Sequence, residues 1–372
     1  MMKFNQSSRR IFLKQISGLF LSSLVVSPEI VFGRGKNNQK DIFFIGKTEH
    51  YHIFNPIKDG IKYYVAHLNW ETNTLTNIPI DFRGHGIQFI PHRPNILYLT
   101  QKYGPNACLV NWKQKLVTNS IELDDDRLFG GHSVVGRNKK ILYTCEFLKG
   151  GAGVITLRDC NSLKKINEYS TFGRRPHQVE LLDNENIIVV PNQKPSPETS
   201  NLCYIDAHSG KLLEKLTCPT ALYMGLSHFD IQNDTILFGG TNRKKDDSHI
   251  VFRKGSGPLE SLGIPSNSPF KMKDEILNVC LNKKGTIGCS SNNMDNIVCF
   301  WDLEHKKFLK AYNIHIPKGI YLSHDEKYFL VLYEYGVLAF DSKTFEKRKI
   351  ASYEHTFERN YTPTSHVFYK SL

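Results

Sequence analysis

The chain has 372 residues, of which 40% are apolar, 12% aromatic and 23% charged, a composition that supports a large buried core and excludes a wholly disordered protein. Beyond the N-terminus no apolar run approaches the roughly 20 residues of a membrane-spanning helix, which excludes a polytopic membrane protein. The formal net charge of +12 leaves attraction to anionic lipid or to an acidic partner open.

At the N-terminus, Ser8-Arg9-Arg10-Ile11-Phe12-Leu13-Lys14 precedes an apolar, Ser-rich run from Gln15 to Phe32, the charged and apolar regions of an export signal. It resembles the bacterial twin-arginine signal, Ser-Arg-Arg-x-Phe-Leu-Lys, at every fixed position. Residues 1–33 are expected to be the signal, with cleavage near Gly33, followed by a linker over 34–40. The resemblance implies delivery to the periplasm by the twin-arginine machinery, of a protein folded beforehand and often already loaded with a metal or cofactor. Nucleic acid is then not an expected partner, and runs such as Arg243-Lys244-Lys245 and Lys347-Arg348-Lys349 read as solvated loops. The eight cysteines include no Cys-x-x-Cys and no Cys-x-x-Cys-His, so covalent haem is not expected. Most lie in apolar runs such as Ile297-Val298-Cys299-Phe300 and read as small buried hydrophobes.

From residue 41 onward, β-rich runs of a few residues alternate with Gly, Asn, Asp, Ser and Lys turns, with almost no helical periodicity, so the chain reads as all-β. A repeat of roughly 45 residues organises it. Its anchor is a His followed by an apolar strand, at His85, His132, His177, His228 and His366, and two further units begin at Asn278 and Gly319. Seven units result. Each holds four strands, with second strands expected at Ile96–Thr100, Ile141–Cys145, Ile187–Val190, Ile236–Phe238 and Tyr328–Leu332. Third strands end in an Asp, as at Asp159, Asp206, Asp302 and Asp341, whose carboxylate is expected to bond the backbone of its own turn. The last unit has one strand, His366–Tyr369. Ile42–Ile45, Lys62–Asn69 and Leu75–Ile80 supply the other three, so the two ends of the chain close one ring. The expectation is a seven-bladed β-propeller over residues 41–372.

The first strand of each blade lines the channel of a propeller, so the anchor histidines should face one another at the channel mouth. With only 15 His in the chain, five at seven equivalent positions exceeds what composition supplies. Three readings fit. Neutral imidazoles suit a transition metal such as iron, copper or zinc. The same array with Arg83, Arg174 and Arg175 nearby suits an anionic small ligand, with Glu146 and Asn192 adding polar contacts. Each imidazole also has a structural reading, bonded to the backbone of a neighbouring blade. No Gly-x-Ser-x-Gly elbow, Walker loop, His-Glu-x-x-His or dinucleotide fingerprint is present, and no catalytic residue is singled out.

The strings Arg83-Gly84-His85-Gly86, Gly130-Gly131-His132-Ser133-Val134, Ile141-Leu142-Tyr143-Thr144-Cys145-Glu146, Gly153 to Asp159, Arg175-Pro176-His177-Gln178-Val179 and Leu226-Ser227-His228-Phe229 resemble the bacterial family called domain of unknown function 1513. That family implies an exported propeller similar in fold to amine-dehydrogenase heavy chains and lactonase-type propellers. It implies periplasmic metal-uptake or redox partners as well, since the family accompanies imelysin-like iron-uptake proteins and di-haem peroxidases. By matching position the resemblance marks His85, His132, His177, His228, Glu146 and Asn192. Where the family has an acidic, Asn-containing loop after the equivalent of Glu146, this chain has Phe147-Leu148-Lys149-Gly150-Gly151. The expected function is binding of a metal or small ligand at the His-lined mouth. A metal-assisted or lactonase-like hydrolase and a protein-interaction scaffold are the alternatives.

Overall fold

Successive residues of a β-strand point to opposite faces of its sheet, and in this chain both faces are apolar. In the strand Ile297–Asp302, Ile297, Cys299 and Trp301 enter one buried cluster, while Val298 and Phe300 enter the next. A sheet of this kind must be covered on both sides, which a ring of like sheets achieves without a free face.

The computed structural model describes residues 41–349 apart from 53–54, 70–71, 73, 91, 137–139, 183–184, 194–199, 218–227 and 243–246, together with strands at 355–356, 361–363 and 368–369. Residues 1–40, with the expected signal and linker, lie outside the described residues, as do Cys218 and His366. Among the described residues, strands form seven antiparallel sheets and no helix.

Blades 1 to 6 follow the chain, with innermost strands Gly84–Phe89, Arg127–Val135, Glu180–Leu182, Phe229–Gln232, Asn278–Leu281 and Ile320–Leu322. Blade 7 is shared between the chain ends. Asp41–His52, Asn55–Asn69 and Thr74–Ile80 pair in order, and Ile42 and Phe43 pair with Tyr369 and Phe368 of the C-terminal strand. The expected strands at Ile42–Ile45 and Lys62–Asn69 are thus parts of a longer hairpin, whose pairing continues past Thr48 with a change of register.

Seven buried clusters fill the spaces between neighbouring blades. Phe44, Leu68, Leu330 and Leu332 join blades 7 and 6, for example, and Tyr98, Leu109, Phe129 and Leu142 join blades 1 and 2. Polar latches near the axis add register. The Gln178 side chain donates to the Phe229 carbonyl at 2.9 Å and accepts from the Phe229 amide at 3.0 Å, tying blade 3 to blade 4. Asp230 accepts from the Leu281 amide and Asn278 from the Ile320 amide, extending the ties to blades 5 and 6. All seven described cysteines are unpaired thiols buried in this packing.

The turn carboxylates behave as the sequence leads one to expect. One oxygen each of Asp159, Asp206, Asp302 and Asp341 accepts from two backbone amides of its own turn. At Asp206 the Ser209 hydroxyl and amide hold the carboxyl below its ordinary range. The folded state therefore favours the ionised form, and the stabilisation is present above the unfolded value of about 3.9 and lost as pH falls through the lower folded value. Asp206→Ala is expected to lower stability by about 1 kcal/mol at pH 7, read from urea unfolding, with the difference from wild type narrowing below about pH 4.

Candidate metal centre

Residues within or just ahead of four inner strands meet at one end of the channel, whereas the sequence places them all just before the strand. His85 and His132 lie within the inner strands of blades 1 and 2, and His177 and His228 lie just ahead of those of blades 3 and 4. Four consecutive blades therefore each send one imidazole to the same place. His177 is fully buried, His132 is 6% and His228 5% exposed, and His85 is half-buried on the open side.

All six ring pairs are close, with centroids 4.7 to 5.7 Å apart. His177 is the hub. Its Nε2 lies 3.3 Å from His85 Nε2 and 3.4 Å from His228 Nε2, and one ligand nitrogen from each of the four rings lies within 4.8 Å of the others. His177 Nδ1–H donates to the Gly130 carbonyl at 2.5 Å, and the His132 amide donates to the His177 carbonyl at 3.0 Å. A carbonyl can only accept, so Nδ1 carries the proton and the neutral ring presents the Nε2 lone pair to the cluster. This is the outer hydrogen bond that orients a metal-ligating imidazole.

Small residues allow the approach. Gly131 has φ +132, and a Cβ there would stand 2.7 Å from the His177 ring and 2.9 Å from His85. A Cβ on Gly130 would collide with the Pro176 carbonyl, and one on Gly86 with the Gly131 carbonyl, which accepts from Thr100 Oγ1. The Gly130-Gly131 pair ahead of His132 is thus the crossing over which three blades close together.

Chemically the cluster is a set of imidazole nitrogen donors. Burial, with a smaller contribution from the Lys102 charge, pushes His132 down to about 3, so this ring stays unprotonated and able to ligate near neutral pH. Among the described residues neither a carboxylate nor a thiolate joins the group. A tetrahedral ion with bonds of about 2.0–2.1 Å to imidazole holds its ligand nitrogens about 3.3–3.4 Å apart, the spacing of the two shortest contacts here. The residues fit a first-row transition ion of borderline softness and do not suit the hard oxygen-seeking cations.

The other residues expected at the site are distributed differently. Arg83 and Arg175 are exposed, ahead of His85 and His177. Glu146 is inside the strand Ile141–Leu148 rather than after it, fully buried, with Arg127 at 3.2 Å and Arg158 at 2.7 Å on its two oxygens and Thr144 Oγ1 at 2.7 Å. These partners neutralise the carboxylate, which lets the strand run through an acidic position. The group serves blade 2 and is not brought to the histidines. Asn192, also buried, donates to the Thr171 carbonyl and to Asn201, and joins blades 2 and 3. Sequence reasoning passed over Gly131 and the channel-lining Gln178, Glu180 and Asp230. Their signal was present in His177-Gln178-Val179-Glu180 and His228-Phe229-Asp230, polar residues among apolar ones on inner strands.

Gly131→Ala is expected to destabilise the fold by about 1–3 kcal/mol in urea unfolding and to shift the imidazole NMR signals of His85 and His177, through overpacking at the crossing.

The hydrazine synthase of Kuenenia stuttgartiensis has a solved structure similar to this chain, with a TM-score of 0.59 and 12% identity, covering 78% of this chain and 91% of that one. At that identity the likeness is one of fold. No curated protein matches the chain. The family described as "Protein of unknown function (DUF1513)" matches residues 78–349, a span that takes in all four clustered histidines and most of the ring. By that match, over most of its length, the chain belongs to the DUF1513 family.

Proposed function

We propose that this protein binds one transition-metal ion through His85, His132, His177 and His228, as an exported periplasmic protein that handles or uses the ion. The observation that carries the reading is the convergence of four buried or half-buried imidazoles from four successive blades, with two Nε2 pairs at 3.3 and 3.4 Å. A purely structural role would be served by one hydrogen bond per ring to a neighbouring backbone. It does not account for ring nitrogens drawn together around His177, whose proton is already committed to Gly130 on the opposite side.

The metal would supply Lewis acidity or redox chemistry at the channel end. The chain's part is to hold the donor set. The Gly130 carbonyl fixes the His177 tautomer, burial keeps His132 neutral, and Gly131 lets the rings approach. Imidazole donors suit iron, copper or zinc, with copper binding most tightly of the three where all are equally available. The Ser8–Lys14 motif supports periplasmic export after folding, which would let the ion be chosen in the cytoplasm.

Elemental analysis by mass spectrometry of untagged protein, purified without chelator, is expected to show close to one transition-metal ion per chain, absent from a His85→Ala/His177→Ala double variant that remains folded. A folded wild type that stays metal-free after reconstitution would overturn the reading. Replacing Arg9 and Arg10 together by Lys is expected to hold the protein in the cytoplasmic fraction, whereas unchanged periplasmic recovery would exclude the twin-arginine route.

A further inference from the structure

A cavity of about 340 Å³ lies along the channel directly beside the histidines. Its walls come from the inner strands of blades 3 to 6, and His132 and His228 form part of its boundary. The volume holds roughly ten waters, which limits an occupant to a small molecule.

Apart from histidines, the ionisable side chains at the cavity include two carboxylates and one lysine. Glu180 and Asp230 face the cavity from adjacent blades, and among the described residues neither forms an ion pair. Lys283, a basic residue at the same cavity, is engaged with Glu326 at 3.0 Å. The two carboxylates differ in how they are held. Both Asp230 oxygens accept backbone amides, from Ile231 at 2.8 Å and Leu281 at 2.7 Å, so Asp230 is built into the junction between blades 4 and 5. Among the described residues the Glu180 carboxylate receives one long hydrogen bond, 3.3 Å from Gln178 Nε2, whose other N–H goes to the Phe229 carbonyl. Its other oxygen, Oε2, accepts no hydrogen bond from the described residues and is the carboxylate acceptor left to the cavity.

We propose that this cavity binds a small organic cation carrying N–H donors, of the primary ammonium or guanidinium class, with the Glu180 carboxylate as its counter-ion and the His132–His228 face of the histidine cluster as its neighbour. The Asp230 carboxylate held in the wall, an acceptor at Glu180 and the Tyr321 side chain at the same cavity make a setting for a positive, hydrogen-bond-donating group. An anion would meet two carboxylates. Burial, partly opposed by the Gln178 hydrogen bond and with the nearby Asp230 adding to it, pushes Glu180 up to about 7, a cost that a bound cation would offset. The chamber stands beside the metal site proposed above and does not require an ion there.

The test uses the full mature chain, both as purified and after treatment with chelator, at pH 8 and constant ionic strength. Methylammonium and guanidinium chloride, with sodium acetate and phosphate for comparison, are titrated by calorimetry into wild type, Glu180→Gln and Glu180→Asp, with folding checked by circular dichroism. Binding of at least one cation to wild type, weakened tenfold or more in Glu180→Gln and partly restored in Glu180→Asp, with no binding of acetate or phosphate, is the expected result. Absence of binding by both cations, equal binding in Glu180→Gln, or tighter binding of the anions would overturn the proposal. Metal content measured on the same samples separates the two readings: cation binding in a protein that takes up no metal removes the metal site alone, and a metal-loaded protein indifferent to both cations removes the chamber alone.

Discussion

Apolar residues on both faces of every sheet are the constraint from which the rest of this molecule follows. A strand such as Ile297–Asp302, with Cys299 and Trp301 pointing one way and Phe300 the other, has no face to give to water. Each sheet must be packed between two others, and seven such sheets satisfy one another only when the row closes. Closure in turn requires the first and last segments of the chain to share a sheet, which the pairing of Ile42 and Phe43 with Tyr369 and Phe368 provides. The same closure brings the starts of the inner strands around a common axis. The site is thus a consequence of the packing that stabilises the fold.

That consequence carries a steric cost, which the chain meets with glycine. Four imidazoles cannot approach within ring contact if the backbone between them bears side chains. Gly86, Gly130 and Gly131 are where neighbouring inner strands come closest, and at Gly131 the backbone conformation itself is one that other residues avoid. The hydrogen bonds at this crossing have two roles. His177 Nδ1–H to Gly130 and the His132 amide to His177 hold blade 2 to blade 3, and they also turn the His177 lone pair inward. Structural and ligating readings of the histidines are therefore not exclusive. The outer edge of a ring is bonded to the fold and its inner edge is left to the cluster.

The polar groups of the interior divide along similar lines. Glu146 with Arg127 and Arg158 are charges largely taken out of water and satisfied at once, and the buried Arg253 is met by both oxygens of the partly exposed Glu214, which is the condition for burying such charges without large loss. Near the axis the polar side chains are fewer and serve as ties between blades, as with Gln178, Asp230 and Asn278. Glu180 is set apart because, among the described residues, its carboxylate receives only one long hydrogen bond, from Gln178. Position along the inner strand, more than residue type, separates a structural carboxylate from one offered to the channel.

Sequence alone determined the all-β class, the count of seven units, the turn role of Asp159, Asp206, Asp302 and Asp341, and the equivalence of His85, His132, His177 and His228, because each is written in a local period or a repeat that survives without tertiary contacts. Glu146 and Asn192 show where that legibility ends. Both stand at matching places in the repeat and look like ligand contacts, yet their partners come from neighbouring strands or the next blade, and those partners turn them into packing. Tertiary structure alone decided which nitrogens meet, which tautomer His177 holds, that Gly131 is indispensable to the approach, and that Glu180 faces a cavity. The physical reason is that these properties depend on distances between residues about 45 or more positions apart, which are set by the tilt and closeness of whole blades and not by any pattern within one.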